Sequence, residues 1–284
     1  MIAPMHRTAC LALLLVALCA GAVLRSQSAE SVPLFHRQYD QVIDLNVRDG
    51  MVYYRALRGD RARLDRYVAS LNVPAATYQG WSRDEKVAFW LNGYNAIVLQ
   101  TVINNYPIHG KSSQYPQNSI RQIPGAFDGA KHRLAGKSLT LDEIEKTVLP
   151  EFGDPRVYLA LGRGAVGSGR LRSEAYTGAR LAEQLGKVQS EFVSEQAMLR
   201  IDKLTGKVTV TPIISWREAE FVKAYDKGAE GAYAQRSPIE RAVLAFITPH
   251  LFRIEKEFVQ NNVFQMAFHT LDWRLNDLSG GRND

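Results

Sequence analysis

Residues 82–107 read SRDEKVAFWLNGYNAIVLQTVINNYP. Ser82 followed by Glu85 is a capping-box signature, in which each side chain satisfies a free backbone N–H at a helix start. Val87, Trp90, Leu91, Tyr94, Ile97, Val98 and Val102 then recur at helical spacing, and Pro107 lies just beyond. The pattern predicts a central core helix. On its N-terminal side, Leu34, Tyr39, Val42, Ile43 and Leu45 predict an opening helix. Asp49-Gly50 predicts a turn, 51–54 a short extended piece, and 60–71 a second helix with Leu64, Tyr67, Val68 and Leu71 on one face.

On its C-terminal side, 107–137 is rich in Pro and Gly and reads as a long loop, a kind of segment that is usually functional or packed over something. Thr140 and Glu143 repeat the capping box and open a short helix through Val148, which Pro150 stops. Asp154-Pro155 is a turn, and 157–161 (VYLAL) reads as a buried strand. Thr177 opens another helix, 198–212 reads as a hairpin pairing Leu199 and Ile201 with Val208 and Val210, and 216–225 is helical. Ser237, Pro238 and Glu240 form a third capping box with proline at the first helical position. Phe264, Met266 and Phe268 alternate as in a strand, and the tail after Asn276 reads as loose. No composition shift divides the chain. The expectation is one α+β domain over 30–277, with helices packed around a small, mostly antiparallel sheet, and a flexible 278–284.

Residues 1–29 have the layout of an export signal. His6 and Arg7 precede the apolar CLALLLVAL (10–18), which is too short to span a bilayer comfortably, and small residues follow at Ala20, Gly21, Ala22, Ser26, Ser28 and Ala29. The expected location is periplasmic or secreted, with cleavage after Ala22 or Ala29. The alternative is an uncleaved segment tethering the protein to a membrane. A lipoprotein site at Cys19 is disfavoured by Leu18, where a small residue is wanted. No later segment reads as a membrane span.

The chain's 2 cysteines, Cys10 and Cys19, both lie in this signal. A cleaved protein therefore has no sulfur for a disulfide, a thiolate metal site or a cysteine nucleophile. The net charge is +6. Loss of Arg7 and Arg25 leaves about +4, a balance mildly attractive to anions. No dense Lys/Arg run is interleaved with aromatics, so no nucleic-acid site is read. His36, His109, His132, His250 and His269 have no ligand spacing, so neither a metal nor a cofactor is expected.

Several stretches resemble one family, domain of unknown function 547. Residues 89–96 (FWLNGYNA) are similar to its helix motif FWINAYNA, and 139–145 (LTLDEIE) to LSLDDIE. Residues 154–161 (DPRVYLAL), then Leu171-Arg172 and 174–177 (EAYT), resemble DPRIHFAL and PLR-x-EAYT. Residues 271–276 (LDWRLN) are similar to the closing YDWSLN. The resemblance runs in order from about Tyr39 to Asn276. The family has no settled activity. Its Cys and His pattern resembles thiol enzymes of the papain and transglutaminase kind, which implies a scaffold of that type and a cysteine hydrolase or acyl-transfer chemistry.

This chain departs from that pattern where the chemistry would be. Against the family's NCAS-x-GCPPLR it reads GRGAVGSGRLR over 162–172. The two cysteine positions are Arg163 and Ser168, and the two prolines are Gly169 and Arg170. The family's histidine after the Asp-Pro turn is Tyr158, and the one after Ile-Glu is Lys146. The four changes together imply a scaffold that has lost its thiol chemistry: an exported, catalytically degenerate protein that binds an anionic ligand or an acidic protein surface.

The alternative is a hydrolase or acyl transferase in which Ser168 replaces the cysteine. A serine hydroxyl then needs a base within hydrogen-bond reach, either Lys146 or a distant histidine. Residues 162–167 spell GxGxxG, but no helix begins at once and no parallel strand with an acidic end follows, so a dinucleotide site is rejected. Arg163, Arg170 and Arg172 among the glycines are candidate anion ligands. Asn92, Asn95, Glu145 and Tyr158 are candidate ligand contacts. The competing readings are that Asn92 and Asn95 satisfy buried backbone groups and that Glu145 and Lys146 form a helix-surface ion pair.

Overall fold

The structure is a computed structural model that describes residues 33–279 apart from 229, 230, 232 and 262; the expected signal lies outside the described residues. Helix α1 (Arg37–Asn46) leads into a hairpin of β1 (Val47–Arg48) and β2 (Met51–Val52). Asp49 and Gly50 both take left-handed backbone, φ 52° and 80°, as a two-residue type I′ turn requires. Helices α2 (Tyr54–Gly59), α3 (Ala62–Ser70) and α4 (Ala75–Gly80) follow and pack beside α5 (Arg83–Asn104). In α5 the Ser82 Oγ accepts from the Glu85 N–H at 3.2 Å, and the Glu85 carboxylate accepts from the Ser82 N–H at 2.7 Å. From Val87 to Leu99 every α5 residue is buried, so the helix is enclosed on all sides and forms the core axis.

The long loop after α5 carries a 3₁₀ turn at Ile120–Gln122 and ends in a second hairpin, β3 (His132–Leu134) with β4 (Lys137–Leu139). The Thr140–Glu143 capping box then opens α6 (Leu141–Glu143), which widens into a π turn over Ile144–Val148. Pro150 does not stop this segment. A 3₁₀ turn runs on through it over Leu149–Phe152.

The run VYLAL, expected as a strand, is not one: α7 spans Arg156–Leu159, and Ala160 and Leu161 follow it outside any strand. The Asp154 carboxylate accepts from the Arg156 N–H at 3.1 Å and clamps the Arg156 guanidinium, which starts the turn. Because the run is buried on every side, its periodicity could not separate helix from strand.

Helix α8 (Leu181–Phe192) precedes the hairpin β5 (Leu199–Asp202) and β6 (Lys207–Val210), in which Leu199 pairs with Val210 and Ile201 with Val208. The expected helix over 216–225 is divided into α9 (Pro212–Trp216) and α10 (Glu218–Tyr225), with Arg217 between them at φ −122°, ψ 33°. Helices α11 (Pro238–Ile247) and α12 (Arg253–Gln260) lead to β7 (Gln265–Phe268), which adds parallel to β6. The class is α+β, but the described strands form three small separate sheets rather than one. No described helix is long and apolar enough to cross a membrane.

Residues 277–279 are not loose. The Val52 N–H donates to the Asn276 carbonyl at 2.8 Å and the Leu278 N–H to the Val52 carbonyl at 2.9 Å. The Tyr106 hydroxyl holds the Asp277 carboxylate at 2.7 Å.

His36 lies against Tyr67, whose hydroxyl is 2.9 Å from Nδ1, and burial lowers its pKa from 6.5 to about 4. Above pH 6.5 neither folded nor unfolded protein holds this proton. Between 6.5 and 4 the unfolded chain takes it up while the fold keeps the ring neutral, so stability falls as pH falls. The expected loss by pH 4 is about 3 kcal/mol, at roughly 1.4 kcal/mol per pH unit. Urea unfolding at pH 7 and 4 checks it, and a His36→Leu variant losing as much as the parent would refute it.

Candidate functional site

Of the four family thiol-chemistry positions, Arg163 bonds the buried carboxylate of Glu145, while Tyr158 packs beside that pair and Lys146 follows Glu145 in the chain. Glu145 is carried by the π turn after α6 and is buried. Its Oε1 accepts from Arg163 at 2.8 Å and from Arg217 at 3.2 Å, and its Oε2 from Arg163 Nε at 3.2 Å and the Tyr94 hydroxyl at 3.4 Å. Arg163 is only 2% exposed and also donates to the Tyr158 carbonyl at 3.1 Å. Arg217 stacks on the Tyr158 ring, 4.8 Å from its centroid, and the Tyr158 hydroxyl donates to Glu220 at 3.3 Å.

Burial alone would raise the Glu145 pKa, but Arg163 and Arg217 outweigh it and hold the carboxyl below its usual range. Burial would likewise lower the Arg163 pKa, and the Glu145 charge reverses that. The centre is therefore an Arg–Glu–Arg triad in which all three groups are charged.

The triad forms one wall of a cleft of about 340 Å³. Lys146 joins it from the position after Glu145, but its ammonium pairs with Asp142, not with Glu145, and is 59% exposed. Arg121, from the 3₁₀ turn of the long loop, lies over Trp273 at 4.3 Å and over Phe127 at 4.6 Å from the ring centroids. Among the described residues, no carboxylate lies within ion-pair distance of Arg121, and its Nε has no hydrogen-bond partner. Trp216 closes the cleft beside it. Four cations thus face two carboxylates, Asp142 and Glu145.

Ser168 lies elsewhere. It is 4% exposed and borders a narrower cavity of about 80 Å³ with Met51, Phe192 and Met198. Its Oγ donates to the Ala165 carbonyl at 2.7 Å and accepts from the Arg163 N–H at 3.1 Å. Every partner of that hydroxyl is backbone, so the structure does not bring it together with Lys146, which faces the other cleft, or with a histidine.

The glycine-rich loop is not an open basic loop either. Its N–H groups at Val166 and Gly167 donate to the Arg274 and Asp272 carbonyls, each at 2.9 Å. Arg170 pairs with Asp49 at 2.6 Å and Arg172 with Glu174 at 3.0 Å and Glu191 at 3.2 Å, so acidic side chains of the protein itself occupy both. At position 169 a Cβ would lie 2.0 Å from the Leu159 carbonyl oxygen, which requires glycine on this backbone path.

Asn92 and Asn95 do not reach the cleft. Asn92 bonds both the N–H and the carbonyl of Tyr176, at 2.9 and 2.8 Å. Asn95 accepts from the Gly162 N–H at 2.8 Å and donates to the Ala160 carbonyl at 3.2 Å. They tie the chain on either side of the loop to α5. Sequence reasoning missed Arg121, Trp216 and Arg217. The length of the loop was the only signal for the first, and nothing local marks the helix break that presents the other two. Among the described residues no group of three His, Cys, Asp or Glu side chains could hold a metal ion.

No curated protein and no solved structure matches the chain. A family profile described as "Protein of unknown function, DUF547" matches residues 78–193. The match includes α5, Glu145, Lys146, Tyr158, Arg163 and the whole glycine-rich loop. Trp216, Arg217 and Trp273 lie outside it, as does the closing 271–276. Residues 78–193, then, are similar to the DUF547 family.

Proposed function

We propose that this is an exported, non-catalytic binding protein on a DUF547 scaffold, and that its ligand is a small anion held in the Arg121 cleft. The carrying observation is Arg121 itself: a guanidinium supported by aromatic rings, without a carboxylate partner among the described residues, in a cleft whose cations outnumber its carboxylates. Arginine so placed offers a planar fork to a carboxylate or phosphate. The non-catalytic part rests on the triad. Arg163 and Tyr158 supply no nucleophile in place of the thiol chemistry, and their polar atoms are committed to Glu145, Glu220 and backbone.

Thermal unfolding at constant ionic strength tests this with acetate, phosphate and sulfate. At least one is expected to raise the midpoint in step with the logarithm of its concentration, a gain of about 2.7 kcal/mol of stability at a hundredfold excess over its Kd. Arg121→Ala is expected to abolish the effect, and Arg170→Ala, whose partners lie on the other side of the loop, to keep it. A response that persists in Arg121→Ala, or the absence of any response, overturns the assignment. The catalytic part has its own check: a fluorophosphonate probe is expected to leave the protein unlabelled, and labelling lost in Ser168→Ala would refute the non-catalytic reading.

A further inference from the structure

The cleft carries more information than its charge. Trp216 is 45% exposed, unusual for so large an apolar side chain, and lies nearly parallel to Trp273, at 15° with ring centroids 6.4 Å apart. Trp273 in turn supports Arg121. A flat apolar face and a guanidinium with no carboxylate partner among the described residues are therefore built on the same tryptophan. In the same cleft, Asp142 Oδ2 accepts from Lys146, while Oδ1 accepts no hydrogen bond from any described residue. A ligand that fills this space must offer an anion to Arg121 and Lys146, a flat hydrocarbon face to Trp216 and a hydrogen-bond donor to Asp142.

These demands exclude several chemistries. An inorganic anion leaves Trp216 unused. A benzoate-like acid covers the indole but brings no donor to Asp142. A zwitterionic amino acid brings an ammonium, which a cleft with excess positive charge opposes. Neutral hydroxyls satisfy Asp142 without that cost.

Building on the anion-binding reading, we infer that the cleft takes a hexuronate, a pyranose acid: its carboxylate on Arg121 and Lys146, one C–H face on Trp216 and a hydroxyl donating to Asp142. The cleft volume of about 340 Å³ suits a ligand of this size.

Isothermal titration calorimetry of the full chain tests this with glucuronate, galacturonate, glucose, benzoate, phenylalanine and acetate. One of the two uronates is expected to bind at least tenfold more tightly than each of the others. Trp216→Ala is expected to weaken that uronate about tenfold and leave acetate unchanged, whereas Arg121→Ala weakens both. Circular dichroism confirms that each variant is folded, and Trp216→Phe, which keeps a ring, is expected to recover part of the affinity. If acetate binds and neither uronate binds more tightly, or if benzoate or phenylalanine binds best, the hexuronate assignment falls and the anion site stands. If Trp216→Ala leaves uronate binding intact, the assignment also falls. If none of the anions binds, both fall.

Discussion

Glu145→Ala is expected to destabilise the protein by about 3–5 kcal/mol, the usual cost of removing one partner from a buried ion pair. The reason lies in what is left behind. Arg163 would keep its backbone contacts but lose the carboxylate that compensates its charge, and Arg217 would lose the same partner. A glutamine at 145 retains two polar atoms but no charge, so it is expected to recover only a small part.

The effect should also depend on pH. The folded-state pKa of Glu145 is depressed, so its contribution is fully present above the unfolded value of roughly 4.3. It is lost as pH falls through the lower folded value. Denaturant titrations of parent and Glu145→Gln are therefore expected to differ most at neutral pH and to converge in acid. A constant difference down to pH 2 would contradict an ionised Glu145. Replacing Glu145, Arg163 and Arg217 together with apolar residues is expected to cost less than Glu145→Ala, because no buried charge remains.

The second large effect is expected at Asn95. Asn95→Ala leaves the Gly162 N–H and the Ala160 carbonyl without partners in a region closed to water. At about 1–2 kcal/mol for each orphaned group, the loss is roughly 2–4 kcal/mol. Hydrogen exchange should localise it, with the Gly162 amide losing protection before the amides of α5. If Asn95→Ala unfolds at the parent's denaturant midpoint, the carboxamide is not holding the loop.

Where a residue's role is written locally, the sequence revealed it. The three capping boxes, Asp49-Gly50 and the 199–210 pairing depend on residues a few positions apart, and each forms as read. The run 157–161 failed because it is buried on all sides, which removes the alternation that distinguishes a strand.

The site was half visible. Arg163, Lys146 and Tyr158 could be singled out as places where the family pattern changes, and Glu145 as a candidate contact beside Lys146, but not how they meet. Arg163 read as a solvated anion ligand because a sequence shows a charge without its counter-charge, and Glu145 stands 18 residues away. Arg121 and Arg217 come from a loop and a helix break whose positions depend on tertiary packing.

The pairing of Asn276 and Leu278 with Val52 has a consequence for the order of assembly. Tyr54 and Asn276 are hydrogen-bonded across 222 positions of chain, so the first hairpin gains its outer neighbour only by one of the longest ring closures in the molecule. Contacts of such high sequence separation slow folding. A nascent polypeptide not yet extended past Leu278 has no native route to this closure, and the hairpin of β1 and β2 retains an uncovered edge until that segment has emerged.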